Sequence, residues 1–160
     1  TQSLSSAASD VYKRQTEDLP SGVASLVLSA KNIRKTAYSK YSNFSVGVSV
    51  LMDNGEVITG SNQENAAYPS GLCAERTALF YANSMYPDSN VICLVIVAGS
   101  ITKINETPIA PCGGCRQVIS EFENKQKSPI GTYFMGEKGK IVYSNSIDNL
   151  LPFKFDSSFL

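Results

Sequence analysis

The sequence predicts an α/β fold, a three-layer α/β/α sandwich around a five-stranded mixed sheet whose last two strands are antiparallel. Three observations carry this. Segments with a three- and four-residue apolar period alternate with short β-branched segments, in the order helix, strand, strand, helix, strand, helix, strand, strand. Residues 91–98 (VICLVIVA) are a near-continuous apolar run, as in a central strand covered on both faces. Only Gly136-Glu137-Lys138-Gly139 joins the last two strands, and a parallel crossover needs roughly a dozen residues.

Residues 1–20 are rich in Ser, Thr and Ala, lack periodicity and end at Leu19-Pro20. They read as a flexible extension, with residues 21–160 as the single domain. From Ser21 onward, Val23, Leu26, Val27, Ala30, Ile33 and Ala37 share one helical face, predicting a helix that ends near Tyr38. Phe44 to Met52 and Val57 to Ser61 read as a hairpin, because Asp53-Asn54-Gly55 offers the positive φ values of a tight turn. The next loop, Asn62-Gln63-Glu64-Asn65-Ala66-Ala67-Tyr68, is too polar for a core and suits binding. After a Pro69-Ser70-Gly71 break, residues 73 to about 85 are helix formers. The central strand follows, with Cys93 as a packing residue. Residues 112–124 then repeat the cysteine-before-helix arrangement, with Cys115, Val118, Ile119 and Phe122 on one face. Gly131 to Met135 and Lys140 to Ser144 are the final strands, trailed by a short helical stretch from Ser146 to Leu151 and an aromatic tail.

A chain of 160 residues can bury a sizeable core. Its 14 Lys and Arg balance 14 Asp and Glu, so no basic excess neutralises phosphates and a nucleic-acid partner is disfavoured. No apolar run approaches the roughly 18 residues of a membrane span, and residues 1–15 lack the apolar stretch of a secretory signal. A cytoplasmic setting without a membrane partner is expected. Histidine is absent. That removes the commonest general base and every His-containing metal site, leaving carboxylates, thiolates, hydroxyls or a metal to do chemistry.

In a reducing compartment the four cysteines, at 73, 93, 112 and 115, are ligands, nucleophiles or core residues rather than disulfides. Cys112-Gly113-Gly114-Cys115 alone is a moderate signal, shared with thioredoxin-like redox sites. Cys73 and Cys112, however, each open a helix, where the dipole favours thiolate. With Cys115 they make three corners of a tetrahedral zinc site and leave the fourth for water, the form of a catalytic centre. A structural site short of one ligand, or three buried thiols, also fits the spacing. Glu75 suits the proton carrier of such a centre, since zinc lowers the pKa of its water to about 7. Residues two apart do not face each other on a regular helix, so Cys73 must stand at the helix cap or in the first turn. Three thiolates and one Zn²⁺ sum to negative charge. Arg76 is the plausible compensation, donating to ligand sulfurs.

Cys73-Ala74-Glu75-Arg76 followed by Pro111-Cys112-Gly113-Gly114-Cys115-Arg116-Gln117 resembles the signature of the homotetrameric zinc-dependent cytidine deaminases. The likeness runs from about Ser21 to Phe155. It includes Tyr41-Ser42-Asn43-Phe44-Ser45-Val46-Gly47, the loop from Asn62 to Tyr68, and Leu150-Leu151-Pro152-Phe153-Lys154-Phe155. Ser45 stands where the family commonly has Pro, and Gly114 where Ala is frequent. The resemblance implies one Zn²⁺ per subunit on Cys73, Cys112 and Cys115, with Glu75 catalytic. It places Asn62 and Glu64 on the ribose hydroxyls, Phe44 against the nucleoside, and Tyr68 and Ala74 at the substrate. Phe155 is implied to reach a neighbouring subunit's pocket in a homotetramer. The implied reaction is hydrolytic deamination of cytidine and 2′-deoxycytidine to uridine and 2′-deoxyuridine, releasing ammonia, in pyrimidine salvage. A relative acting on another cytosine compound, such as blasticidin S, lacks the Asn62-x-Glu64 pair. Relatives that edit polynucleotides are set apart by the zero net charge, the missing histidine and the short last link. A zinc-stabilised interaction module would close the fourth coordination position.

Overall fold

The computed structural model describes residues 19–160 and the backbone of residues 11–14. In chain order the elements are β1 (Val11–Arg14), α1 (Val23–Arg34), β2 (Phe44–Met52), β3 (Val57–Ser61), α2 (Ala74–Met85), β4 (Val91–Ser100), α3 (Gly113–Gln126), β5 (Gly131–Met135) and β6 (Ile141–Ser144). The strands lie in the order β1-β6-β5-β4-β2-β3, with β4 and β5 parallel and every other pair antiparallel. The five expected strands are all present, and the four-residue link does make β5 and β6 antiparallel. The sheet also carries one strand more, β1, on the outer edge of β6 with Val11 opposite Ser144. Of the extension expected over residues 1–20, residues 1–10 and 15–18 lie outside the described residues.

β4 explains the layering. Alternate side chains of a strand point to opposite faces. Leu94 and Ile96 meet Leu79 of α2 and Ile119 of α3 in one core, while Cys93, Val95 and Val97 meet Val23, Leu26, Val27 and Ala30 of α1 in the other. The apolar run of β4 thus separates two hydrophobic layers. Cys93 packs as expected, and burial pushes its thiol up to about 11. On β2, Gly47 lets α1 approach, since a Cβ there would stand 2.1 Å from the Ala30 carbonyl oxygen.

Two local expectations are corrected. α1 ends at Arg34 rather than near Tyr38. The amides of Lys35, Thr36 and Ala37 bond three residues back, closing the helix, and the backbone of Tyr38 pairs with the polar loop after β3 instead: its amide donates to Asn62 O (3.0 Å) and its carbonyl accepts from Glu64 N (2.9 Å). In the hairpin, only Gly55 of Asp53-Asn54-Gly55 takes a positive φ, at 87°. Gly55 N donates to Met52 O (3.1 Å) and Met52 N to Glu56 O (2.9 Å), so the turn closes over three residues with the glycine as its left-handed member.

Gly60 sets the height of α2 above the sheet. A Cβ there would lie 2.8 Å from Ala78 N and 3.0 Å from Ala74 O, both backbone atoms of a helix that cannot give locally. Gly60→Ala is expected to lower the free energy of unfolding by about 1–3 kcal/mol, the usual range for overpacking, when measured by urea titration. An unchanged midpoint would show that α2 is free to shift.

Candidate functional site

Both sulfur-bearing helices begin where the chemistry needs them to. Cys73 is the N-cap of α2 (φ −69°, ψ 153°) and Cys112 the N-cap of α3 (φ −66°, ψ 165°), each in extended backbone one residue ahead of its helix. Cys73 and Glu75 therefore do not sit two apart on a regular helix. Cys115, one turn into α3, is fully buried, Cys73 is half-buried and Cys112 is exposed. The Sγ atoms of Cys73 and Cys112 are 3.8 Å apart, and all three sulfurs lie within 4.8 Å of one another. Zinc–sulfur bonds of about 2.3 Å at tetrahedral angles separate sulfurs by about 3.8 Å, so this pair already has the spacing the metal requires. Three soft thiolates favour zinc over the oxygen-seeking Mg²⁺ and Ca²⁺. These residues fit the ion.

The metal-free trio divides its protons unevenly. A hydrogen bond from the Cys115 thiol, helped by Arg76 and Cys112, brings the Cys73 thiol down to about 5 against the opposing effect of burial. Cys115, the donor in that bond, is pushed up, further so by burial and by Glu75. The guanidinium of Arg76 donates through Nη2 to Cys73 Sγ (3.8 Å), and its Nε is buried without a hydrogen-bond partner among the described residues. Glu75 is 4% exposed, and burial raises its carboxyl above the ordinary range, with the Cys73 thiolate adding to the shift.

Two cavities flank these residues, one of about 410 Å³ and one of about 450 Å³, with Ser42, Asn62, Glu64 and Cys73 lining both. The first is lined by Glu75 and Cys112 and walled by Phe44, Val46, Ile96, Ala98, Ile109 and Ala110. Tyr68 and Arg76 line the second, where Tyr68 meets Tyr41 edge to face at 6.1 Å. Ala74 lines neither: as the first residue of α2 it is fully buried, and what it presents is backbone.

The two polar residues of the loop are held firmly. Asn62 accepts from Val46 N (2.7 Å) and donates to Phe44 O (2.9 Å), which among the described residues leaves one N–H and one lone pair free. The Glu64 carboxylate accepts from Tyr41 N (2.7 Å), Ser42 N (3.3 Å) and the Ser42 hydroxyl. These bonds, the hydroxyl first, hold its carboxyl below the usual range. Ser42 was not singled out by residue type. The signal available was its place in Tyr41-Ser42-Asn43-Phe44, where Asn43 takes φ 54°, a left-handed conformation asparagine tolerates, and turns both Ser42 and Phe44 toward the site. Gly114 faces open space, so the alanine frequent in relatives would fit there. Phe155 lies in neither cavity of its own chain. Its ring stacks on Phe159 at 5.7 Å, and its carbonyl accepts from Gln117 Nε2 (2.6 Å).

Known proteins resemble this chain in sequence and in fold. The profile of the cytidine and deoxycytidylate deaminase zinc-binding region matches residues 22–143. A cytidine deaminase of Sporosarcina psychrophila is 39% identical over 138 residues, covering 86% of this chain and 94% of its own length. One of Halalkalibacterium halodurans is 38% identical over 131 residues, 81% of this chain and 91% of its own. The crystal structure of cytidine deaminase from Burkholderia pseudomallei superposes with a TM-score of 0.69 at 36% identity, over 82% of this chain and 97% of that one.

The sulfur arrangement has a pH signature. The thiol of Cys73, at about 5 in the fold and ordinarily at 9.0, contributes stability that builds between about pH 5 and pH 9 and is lost as pH falls through about 5, while the raised thiol of Cys115 opposes it above 9.0. Alkylation of metal-free protein by iodoacetamide is expected to modify Cys73 with a half-point near pH 5, and Arg76→Ala should move the half-point upward. Peptide mapping that finds Cys73 alkylated only near pH 9 would contradict the arrangement.

Proposed function

The chain belongs to the cytidine and deoxycytidylate deaminase family of zinc enzymes, and we propose that it hydrolyses cytidine and 2′-deoxycytidine to uridine and 2′-deoxyuridine with release of ammonia. One observation carries this: three sulfurs converge at two helix N-termini beside a buried carboxyl, and a single cavity is lined by Cys73, Glu75 and Cys112 together with Asn62 and Glu64. Cys73, Cys112 and Cys115 would hold a zinc ion, which would supply Lewis acidity and lower the pKa of water to about 7. Everything else falls to side chains.

Glu75 handles protons. A carboxyl raised by burial can take a proton near neutral pH and release it again, which an exposed glutamate does poorly. It accepts the proton lost by the attacking water and delivers it to ring N3, then takes the proton of the new C4 hydroxyl and hands it to the exocyclic amine, so that the C4–N bond breaks, the C4 carbonyl forms and ammonia leaves. Phe44 and the aliphatic wall cover the pyrimidine and exclude bulk water. At the sugar end, three of roughly four lone-pair positions on Glu64 are already filled by Tyr41 and Ser42, leaving one to accept a hydroxyl. The free N–H and lone pair of Asn62 supply the neighbouring contact. Arg76 draws charge from Cys73 and so keeps the trio from weakening the metal's acidity.

The neighbouring-subunit role of Phe155 and a homotetramer belong to the same proposal. What supports them is the apolar tail: Phe153 is 89% exposed and Phe155 58%, surfaces that an isolated chain leaves in water. Four free cysteines suit the reducing cytoplasm, where free nucleosides are salvaged. No helix among the described residues is long and apolar enough to cross a membrane.

Glu75→Gln is expected to lower kcat on cytidine by about 10²- to 10⁴-fold, the usual worth of a positioned proton carrier, with zinc still bound. The loss of cytidine absorbance reads the rate and atomic absorption reads the metal; undiminished turnover ends the assignment. Sedimentation equilibrium is expected to give four chains per particle, and a monomer would remove Phe155 from the active site.

A further inference from the structure

Cys112 is the one exposed ligand of the trio, and it stands at the end of the twelve-residue connection from β4 with no side chain of its own buried to hold it. What fixes it is Arg116. The Arg116 amide donates to Cys112 O (2.9 Å), closing the first turn of α3, while its guanidinium reaches back and Nε donates to Pro111 O (2.8 Å). The peptide on either side of the Cys112 α-carbon is thus tied to one residue. The same guanidinium donates through Nη1 to Leu150 O (2.8 Å), thirty-four residues later in the chain.

Leu150 belongs to a segment that lies along the whole of α3. Near the C-terminal end of the helix, the buried carboxylate of Glu123 accepts from Ile130 N (2.8 Å), Ile147 N (3.0 Å) and Ser146 Oγ (3.0 Å), and Ile147 is fully buried beside it. Near the N-terminal end, Gln117 Nε2 donates to Phe155 O (2.6 Å). The segment is therefore pinned at Ser146–Ile147, at Leu150 and at Phe155, and its middle anchor is the guanidinium that holds Pro111. We infer that Arg116 is a positioning residue for Cys112, and that residues 146–155 act through it as a strap that keeps the exposed sulfur in place and the metal from leaving. This rests on the zinc-site reading of the three cysteines. It assigns the strap a part in metal retention apart from any contact with a second subunit.

The fork of the guanidinium is what the task demands. Two carbonyls in fixed directions are bridged by a planar group with several N–H donors, whereas an ammonium at the same place can serve one carbonyl well but not hold both in register. Groups that orient ligands from behind typically change metal affinity by about 10- to 100-fold when removed.

The test loads wild type, R116Q, R116K and Q117A with zinc and follows transfer to the chelator 4-(2-pyridylazo)resorcinol. R116Q is expected to release zinc about 10-fold faster or more, with R116K in between. Q117A, which frees the strap at Phe155, is expected to speed release in the wild-type background and to add nothing to R116Q, because both act on one element. In cobalt-loaded R116Q the sulfur-to-metal charge-transfer absorbance should fall by about one third, as one of three thiolates is lost. Val23→Ala, on the opposite face of the sheet, lowers Tm without touching the strap and should leave release unchanged. Equal release from wild type and R116Q overturns the inference, as does release that follows Tm alike in R116Q and Val23→Ala. If R116Q does not fold, Q117A by itself decides, with unchanged release counting against the strap. A wild-type protein that binds neither zinc nor cobalt overturns the underlying reading instead.

Discussion

Three sulfurs brought together at the ends of two helices are the constraint from which the site follows. Two thiolates 3.8 Å apart repel by about 4 kcal/mol at an effective dielectric of about 20. One charged hydrogen bond, such as Arg76 provides, returns about 1.5–3 kcal/mol. Arg76 alone does not offset even one such repulsion. Between Cys73 and Cys115 the charge settles on Cys73, whose thiol is pulled down while that of Cys115, which donates to it, is pushed up. The same concentration of charge, acting with burial, keeps the neighbouring Glu75 carboxyl ready to hold a proton.

The fold meets that constraint by placing α2 and α3 on one face of the sheet. β4, α3 and β5 form a parallel crossover, so α3 starts beyond the C-terminal end of β4 and brings Cys112 and Cys115 to that edge. α2 arrives there because Gly60 lets its backbone rest directly on β3. Both helices present their N-termini to the sulfurs, adding partial positive charge where thiolates collect. A parallel strand pair and one glycine thus fix the meeting of two motifs 39 residues apart.

The loop from Asn62 to Leu72 is ordered by backbone. Tyr38 exchanges hydrogen bonds with Asn62 and Glu64, and Gln63 pairs with Leu72 in both directions at 2.9 Å, so the polar loop is braced from either side. Glu64 is held by Tyr41 and Ser42 before any ligand arrives. A carboxylate oriented in advance loses little freedom on binding, which is how a small cavity gains specificity without adding contacts.

Much of this was legible in the chain itself. The apolar run at 91–98 announces a doubly covered strand, the four-residue link makes its strands antiparallel, and cysteines ahead of helix formers place sulfurs at N-termini, because these are local patterns with local causes. The motif Cys-Ala-Glu-Arg with Pro-Cys-Gly-Gly-Cys carries the metal ligands and Glu75 for the same reason. Tertiary structure alone decided the rest. α1 stops at Arg34 because the backbone of Tyr38 finds partners in a loop twenty-four residues away. Ser42 matters because Asn43 turns it onto Glu64, and Arg116 because its guanidinium meets a carbonyl of Leu150. Hydrogen bonds between distant segments leave no period and no composition to read, since each depends on where the packed core has already put its partner.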